Sequence, residues 1–189
     1  MHKLFFNLIL CALLLLCPGR AQAQSPVESE EYAAYNAVIS SMLNKRGARP
    51  VKLILLWEQT AINGSKLTSP DWKLRPQGIY GITKDTLDHY VAKNDQQQRL
   101  ERLFDLKVEY ELVNDNEYLK LMFERTFHKK YPESLESIIY FSRVGFNREK
   151  TQALVYRKMM TTSGRADYFL LIKEKGVWKV AREEMDWIE

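Results

Sequence analysis

Residues 137 to 187 contain four strand-length segments, about 137–146, 151–161, 166–174 and 177–187, and no other feature limits the fold as tightly. Much of each segment alternates apolar and polar side chains, the period of a strand with one buried face. Asn147-Arg148-Glu149-Lys150 and Lys173-Glu174-Lys175-Gly176 have the length and polarity of turns between antiparallel neighbours, and Thr161 to Arg165 is a looser connection containing Gly164. The four segments predict an antiparallel meander, which needs helices laid against it to bury its apolar face.

The upstream chain supplies candidates for that cover. Tyr32, Tyr35, Ile39, Met42 and Leu43 recur at steps of three and four, predicting a helix from Glu28 that ends at Gly47. VKLILLW, residues 51–57, is apolar on both faces apart from Lys52, as an interior strand would be. Residues 62–82 carry Asn63-Gly64, Pro70, Pro76, Gly78 and Gly81, predicting a long irregular crossing. Thr83 caps a helix carrying Leu87, Tyr90 and Val91, and Asp95 with Gln98 forms a capping pair for a second short helix. Phe104 to Leu112 alternates strictly and reads as a strand with one wet face, followed by a helix from Asn114 or Asp115 that stops near Tyr131 because Pro132 cannot continue it. The fold class expected is α+β: an antiparallel sheet with a C-terminal four-strand meander, packed by an N-terminal helix and further short helices.

Residues 1–23 read as a signal peptide: Lys3, an apolar run from Leu8 to Cys17, Pro18, and the small-residue pattern Ala21-Gln22-Ala23. The run is broken by Asn7 and Pro18, too short for a bilayer-spanning helix of roughly 20 residues. The expectation is an exported protein, periplasmic or secreted, without stable membrane insertion. Both cysteines, Cys11 and Cys17, lie in that leader, so residues 24–189 form a single cysteine-free domain with neither disulfide nor thiol nucleophile. Loss of Lys3 and Arg20 leaves 26 basic against 24 acidic side chains, too even a balance to indicate nucleic acid as a partner.

The stretches FSRVGFNREKTQALVY and YFLLIKEKGVWKVAREEMDWIE resemble a family of uncharacterised exported bacterial proteins that share S-R-V-G-F-N, T-Q-A-L-V-Y and G-x-W-K-V before a terminal W-I. The resemblance covers the last third to half of the chain; it implies export and this domain, and carries no activity. In topology alone the chain resembles cystatin-like and nuclear-transport-factor-2-like sheets, whose curved face often forms a pocket.

No phosphate loop, dinucleotide fingerprint, G-x-S-x-G or H-E-x-x-H motif is present, and no cofactor is expected. Asp85 with His89, and Glu124 with His128, have the i, i+4 spacing that can seed a metal site, yet neither has a third ligand indicated, and a solvated helix face explains both. Glu109 and Glu111, and Glu183, Glu184 and Asp186, read as surface carboxylates. The abundant aromatic residues suit ligand stacking or cross-strand packing. Arg143 stands out because it shares a strand face with Ile139 and Phe141, where an unpaired charge would be very costly. Glu58, just after the apolar strand, is the expected partner. The pair Arg143 and Glu58 is then a buried ion pair fixing register, or a ligand anchor; an arginine reaching solvent along its neighbours is the third reading.

Function therefore stays open among three readings. The first is an exported, non-enzymatic domain that binds a protein or small ligand through its sheet. The second is a cofactor-free hydrolase of envelope glycans or peptides using Glu58 and Arg143, and the third an inhibitor or immunity-like protein.

Overall fold

The computed structural model describes residues 26–45, 51–61, 79–114, 116–117, 120, 127–131, 134–160 and 164–188. The expected signal peptide, the irregular crossing over 62–78 and most of the helix expected over 114–131, Glu124 included, lie outside these residues.

The architecture is α+β. The helices are α1 (Ser29–Lys45), α2 (Lys84–Lys93) and a short segment, α3 (Phe127–Lys130). The strands are β1 (Leu53–Trp57), β2 (Glu109–Val113), β3 (Ser134–Phe141), β4 (Gly145–Phe146), β5 (Gln152–Met160), β6 (Arg165–Glu174) and β7 (Val177–Ile188). They form one sheet in the order β2-β1-β3-β5-β6-β7, with β4 also paired to β5.

The sheet is mixed, which corrects the expectation of a purely antiparallel one. β1 runs parallel to both of its neighbours, β2 and β3, whereas the pairs β3–β5, β4–β5, β5–β6 and β6–β7 are antiparallel. Its own composition explains this: Ile54 and Leu56 face the α1 side while Leu55 and Trp57 face the other, so both faces are buried, as in parallel sheets. The chain between β1 and β2 includes α2, the kind of crossover a parallel pair requires.

α1 buries Tyr32, Tyr35, Val38, Ile39 and Met42 against Ile139, Phe141, Val155, Phe169 and Leu171 of the sheet. Tyr35 stacks on Phe141 at 4.7 Å between ring centroids, and each fully buried side chain of this size stabilises by about 1.5–3 kcal/mol. On the opposite face α2 sets Tyr90 against Leu154, Tyr156 and Tyr168.

Two expected elements come out differently. The strand expected over 104–112 belongs to the sheet only as β2, whose pairing with β1 begins at Leu53 opposite Glu109. Residues 95–103 form no helix; Gln59 and Arg99 instead make an isolated antiparallel bridge.

Candidate functional site

The segment expected as one strand over 137–146 is interrupted, and the interruption decides what Arg143 does. β3 ends with Phe141 opposite Arg157, and β4 resumes with Gly145 opposite Leu154. Residues 142–144 thus face only 155 and 156, one extra residue, which makes a β-bulge. Ser142 keeps the ladder closed: its N–H donates to the Tyr156 carbonyl at 2.9 Å, and its Oγ accepts from the Tyr156 N–H at 2.9 Å.

The bulge turns Arg143, only 2 % exposed, toward α1. Its Nε donates to Glu31 Oε2 at 2.9 Å and its Nη2 to Glu31 Oε1 at 2.6 Å, a bidentate pair; Nη2 also reaches the Pro26 carbonyl at 3.2 Å. The Val144 N–H and the Lys93 ammonium complete the shell of the Glu31 carboxylate, at 2.9 and 3.1 Å. Burial pushes the Glu31 carboxyl up, but Arg143, Lys93 and the Val144 N–H outweigh it and hold it below its usual value.

Three further groups close the corner. Tyr35 donates its hydroxyl to the Ser142 carbonyl at 2.9 Å. The Asn94 amide pairs with the Arg143 peptide, accepting from its N–H at 2.8 Å and donating to its carbonyl at 3.0 Å. His89 Nδ1 accepts from the Phe146 N–H at 3.0 Å. Gly145 is required here, since a Cβ built on it would lie 2.3 Å from the Tyr90 Cβ. The S-R-V-G-F-N run is therefore explained residue by residue as a bulge clamped between two helices. Asn147 ends it by accepting from the Thr151 and Gln152 N–H groups, both at 2.8 Å.

Glu58 takes no part, which corrects the partner expected from the sequence. Its N–H is tied to the Val113 carbonyl, and its carboxylate reaches Arg99 at 3.5 Å. Alternation does set Arg143 on the side of Ile139 and Phe141, which α1 covers, but Glu58 was chosen by residue type and position, and the carboxylate over Arg143 comes from α1. Asp85 and His89 are likewise engaged by the 146–148 turn, Asp85 accepting from the Arg148 N–H at 3.0 Å. Among the described residues no group of three or more His, Cys, Asp or Glu is placed to hold a metal.

An open concavity lies elsewhere, between α1 and the β6–β7 hairpin, with a volume of about 730 Å³. One wall is the α1 stripe Ala33, Asn36, Ala37, Ser40, Ser41 and Asn44, which recurs at helical spacing and is small enough to leave room above the helix. The other wall runs from Lys173 through Val177 and Trp178 to Val180. At its head Glu30 accepts from Trp178 Nε1 at 2.6 Å and from Lys173, fixing the indole against Phe146. Burial pushes the Glu30 carboxyl up, but Lys173 and Trp178 bring it below its usual value. The Asn36 Oδ1 in the helix wall is buried and has no hydrogen-bond donor among the described residues. Two serines line the groove, and His89, on α2, lies away from it. Sequence reasoning passed over this stripe because it sought large aromatic residues, whereas a groove is marked by small ones.

No family model, no curated protein and no solved structure matches the chain. Among the described residues no helix is long and apolar enough to cross a membrane.

Proposed function

We propose that the chain is an exported binding domain whose groove between α1 and the β6–β7 hairpin receives a polar segment of a protein partner in the cell envelope. The observation that carries this is the groove itself: about 730 Å³, within the roughly 300–1,000 Å³ typical of binding pockets. Lys45, Lys173 and Lys179 beside Glu30 and Asp105 suit a segment of mixed charge.

The leader composition supports export, and Pro26 already bonds Arg143, so cleavage after Ala23 would spare the domain's contacts. The C-terminal resemblance is consistent with the same reading. The hydrolase alternative loses its stated basis, because Arg143 is spent on Glu31 and Glu58 on Arg99.

A photo-crosslinking residue placed at Ser40 should capture one envelope protein in living cells. Ala37→Trp, which fills the groove, should abolish that capture while leaving the circular dichroism spectrum unchanged. Capture that survives Ala37→Trp would reject the groove. Turnover of an envelope substrate by the purified chain, lost on one point substitution, would reject the binding role.

A further inference from the structure

The hairpin wall of the groove is lined by Gly176, Val177, Trp178, Lys179 and Val180 one after another. Side chains of a strand alternate between its two faces, so an unbroken run reaches one cavity only through the main-chain edge. β7 is the last strand in the sheet order and pairs only with β6, so among the described residues that edge carries no further strand.

The hairpin register shows which groups face outward. Lys175 and Gly176, with φ of 50° and 83°, form a two-residue turn closed by Glu174 opposite Val177, and Lys173 then lies opposite Trp178. The Lys173 N–H donates to the Thr151 carbonyl at 2.8 Å, on the side of β5. Lys173 and Trp178 therefore exchange no hydrogen bonds, and the N–H and C=O of Trp178 point away from β6. Val180, two residues on, repeats that orientation, and the register shift just beyond it ends the regular edge. Among the described residues no hydrogen bond reaches these outward groups. Glu30 accepts from Trp178 Nε1 at 2.6 Å, so the edge is fixed in place beforehand.

We propose that the groove takes its partner as an extended segment added edgewise to β7, its main chain bonded to Trp178 and Val180. Donors and acceptors at alternate residues along an edge are matched by another extended main chain, which makes the occupant a polypeptide. Ala33, Ala37 and Ser41 recur every fourth residue along α1 in the facing wall, and their small size leaves room for every second side chain of the added segment. The occupant is a partner protein rather than a second copy, since two β7 edges paired about Lys179 would set that lysine against itself. The added strand presupposes that the groove receives a partner and specifies how the partner is held.

Short random peptides displayed on phage and selected on the chain are the probe; a peptide lost in Ala37→Trp occupies the groove. Methylating its amide nitrogens one at a time should weaken binding about ten-fold at every second residue and little in between. Hydrogen exchange followed by NMR should show the Trp178 and Val180 N–H groups protected when the peptide is bound. Val180→Pro removes one outward donor at a strand edge, where proline is tolerated, and should weaken binding by a similar factor with the circular dichroism spectrum unchanged. A groove-bound peptide indifferent to N-methylation, or one that leaves both N–H groups unprotected, would overturn strand addition while the groove reading stands. Failure to select any peptide sensitive to Ala37→Trp would overturn both. Dimerisation of the chain that Val180→Pro abolishes would overturn the choice of a partner over a second copy.

Discussion

Gly145→Ala is the substitution whose cost can be worked from geometry. The added Cβ would meet the Tyr90 Cβ at 2.3 Å, its Cα at 2.5 Å and its N at 2.6 Å. Two of these atoms are backbone, so no side-chain rotation relieves the clash, and reaching an ordinary carbon contact of about 3.5 Å requires α2 to retreat by about 1 Å. That retreat stretches the hydrogen bonds from Phe146 to His89 at 3.0 Å and from Arg143 to Asn94 at 2.8 Å beyond useful length. Overpacking alone costs about 1–3 kcal/mol and the weakened bonds about 1 kcal/mol more, for a total of about 3 kcal/mol. For a domain of this size the melting temperature should drop by about 6–12 °C. Gly176→Ala is the control: nothing lies within 4 Å of its Cβ, and its φ of +83° adds strain of only about 1 kcal/mol. Thermal and urea unfolding followed by circular dichroism would measure both. An unchanged midpoint for Gly145→Ala, or an equal loss at both glycines, would refute the close approach of α2 to the bulge.

Other outcomes follow from the same corner. Glu31→Gln should destabilise by about 3–5 kcal/mol in urea unfolding, because Arg143 is left buried without its bidentate carboxylate, and Arg143→Leu should lose somewhat less, because Glu31 keeps Lys93 and the Val144 N–H. Asn94→Ala should cost about 1–3 kcal/mol by the same assay, since it removes the acceptor of the buried Arg143 N–H and one donor to its carbonyl. Glu31, Glu28 and Glu30 are held below the usual value of 4.5, so their stabilisation is present above that pH and is lost as pH falls through the lower folded values. Melting temperature should therefore decline below about pH 4.5, and less steeply in Glu31→Gln. Trp178→Phe should cost about 1 kcal/mol through the lost bond to Glu30 and loosen the hairpin wall of the groove, seen as faster amide exchange over 173–180.

Periodicity made α1, β1 and the strands of the C-terminal half readable, because each buries one face whose spacing the chain displays. What it hid were the places where a count of two or three and a half fails. The bulge at 142–144 adds a single residue that alternation does not show, and the choice of Glu58 by type and position could not tell which element lies over Arg143. Glu31 was missed although it sits four residues before Tyr35 and seven before Val38, on the buried face of α1. A carboxylate inside an apolar stripe and an arginine inside an apolar strand are each anomalous alone, and their pairing was the available signal. The parallel pairing of β1 was implied by its two apolar faces, yet the short polar turns downstream suggested one antiparallel rule for the whole sheet. The Arg157–Asp167 pair lies directly across β5 and β6, and only the register reveals it.

The central claim is that Arg143 is committed to Glu31 and holds α1 on the bulge. A carbon-13 NMR titration of the Glu31 carboxyl tests it most directly. The midpoint should fall below 4.5 in the native chain, with the Arg143 Nε–H resonance moving at the same pH. A midpoint at or above 4.5, or an Arg143 resonance indifferent to Glu31 protonation, would contradict it.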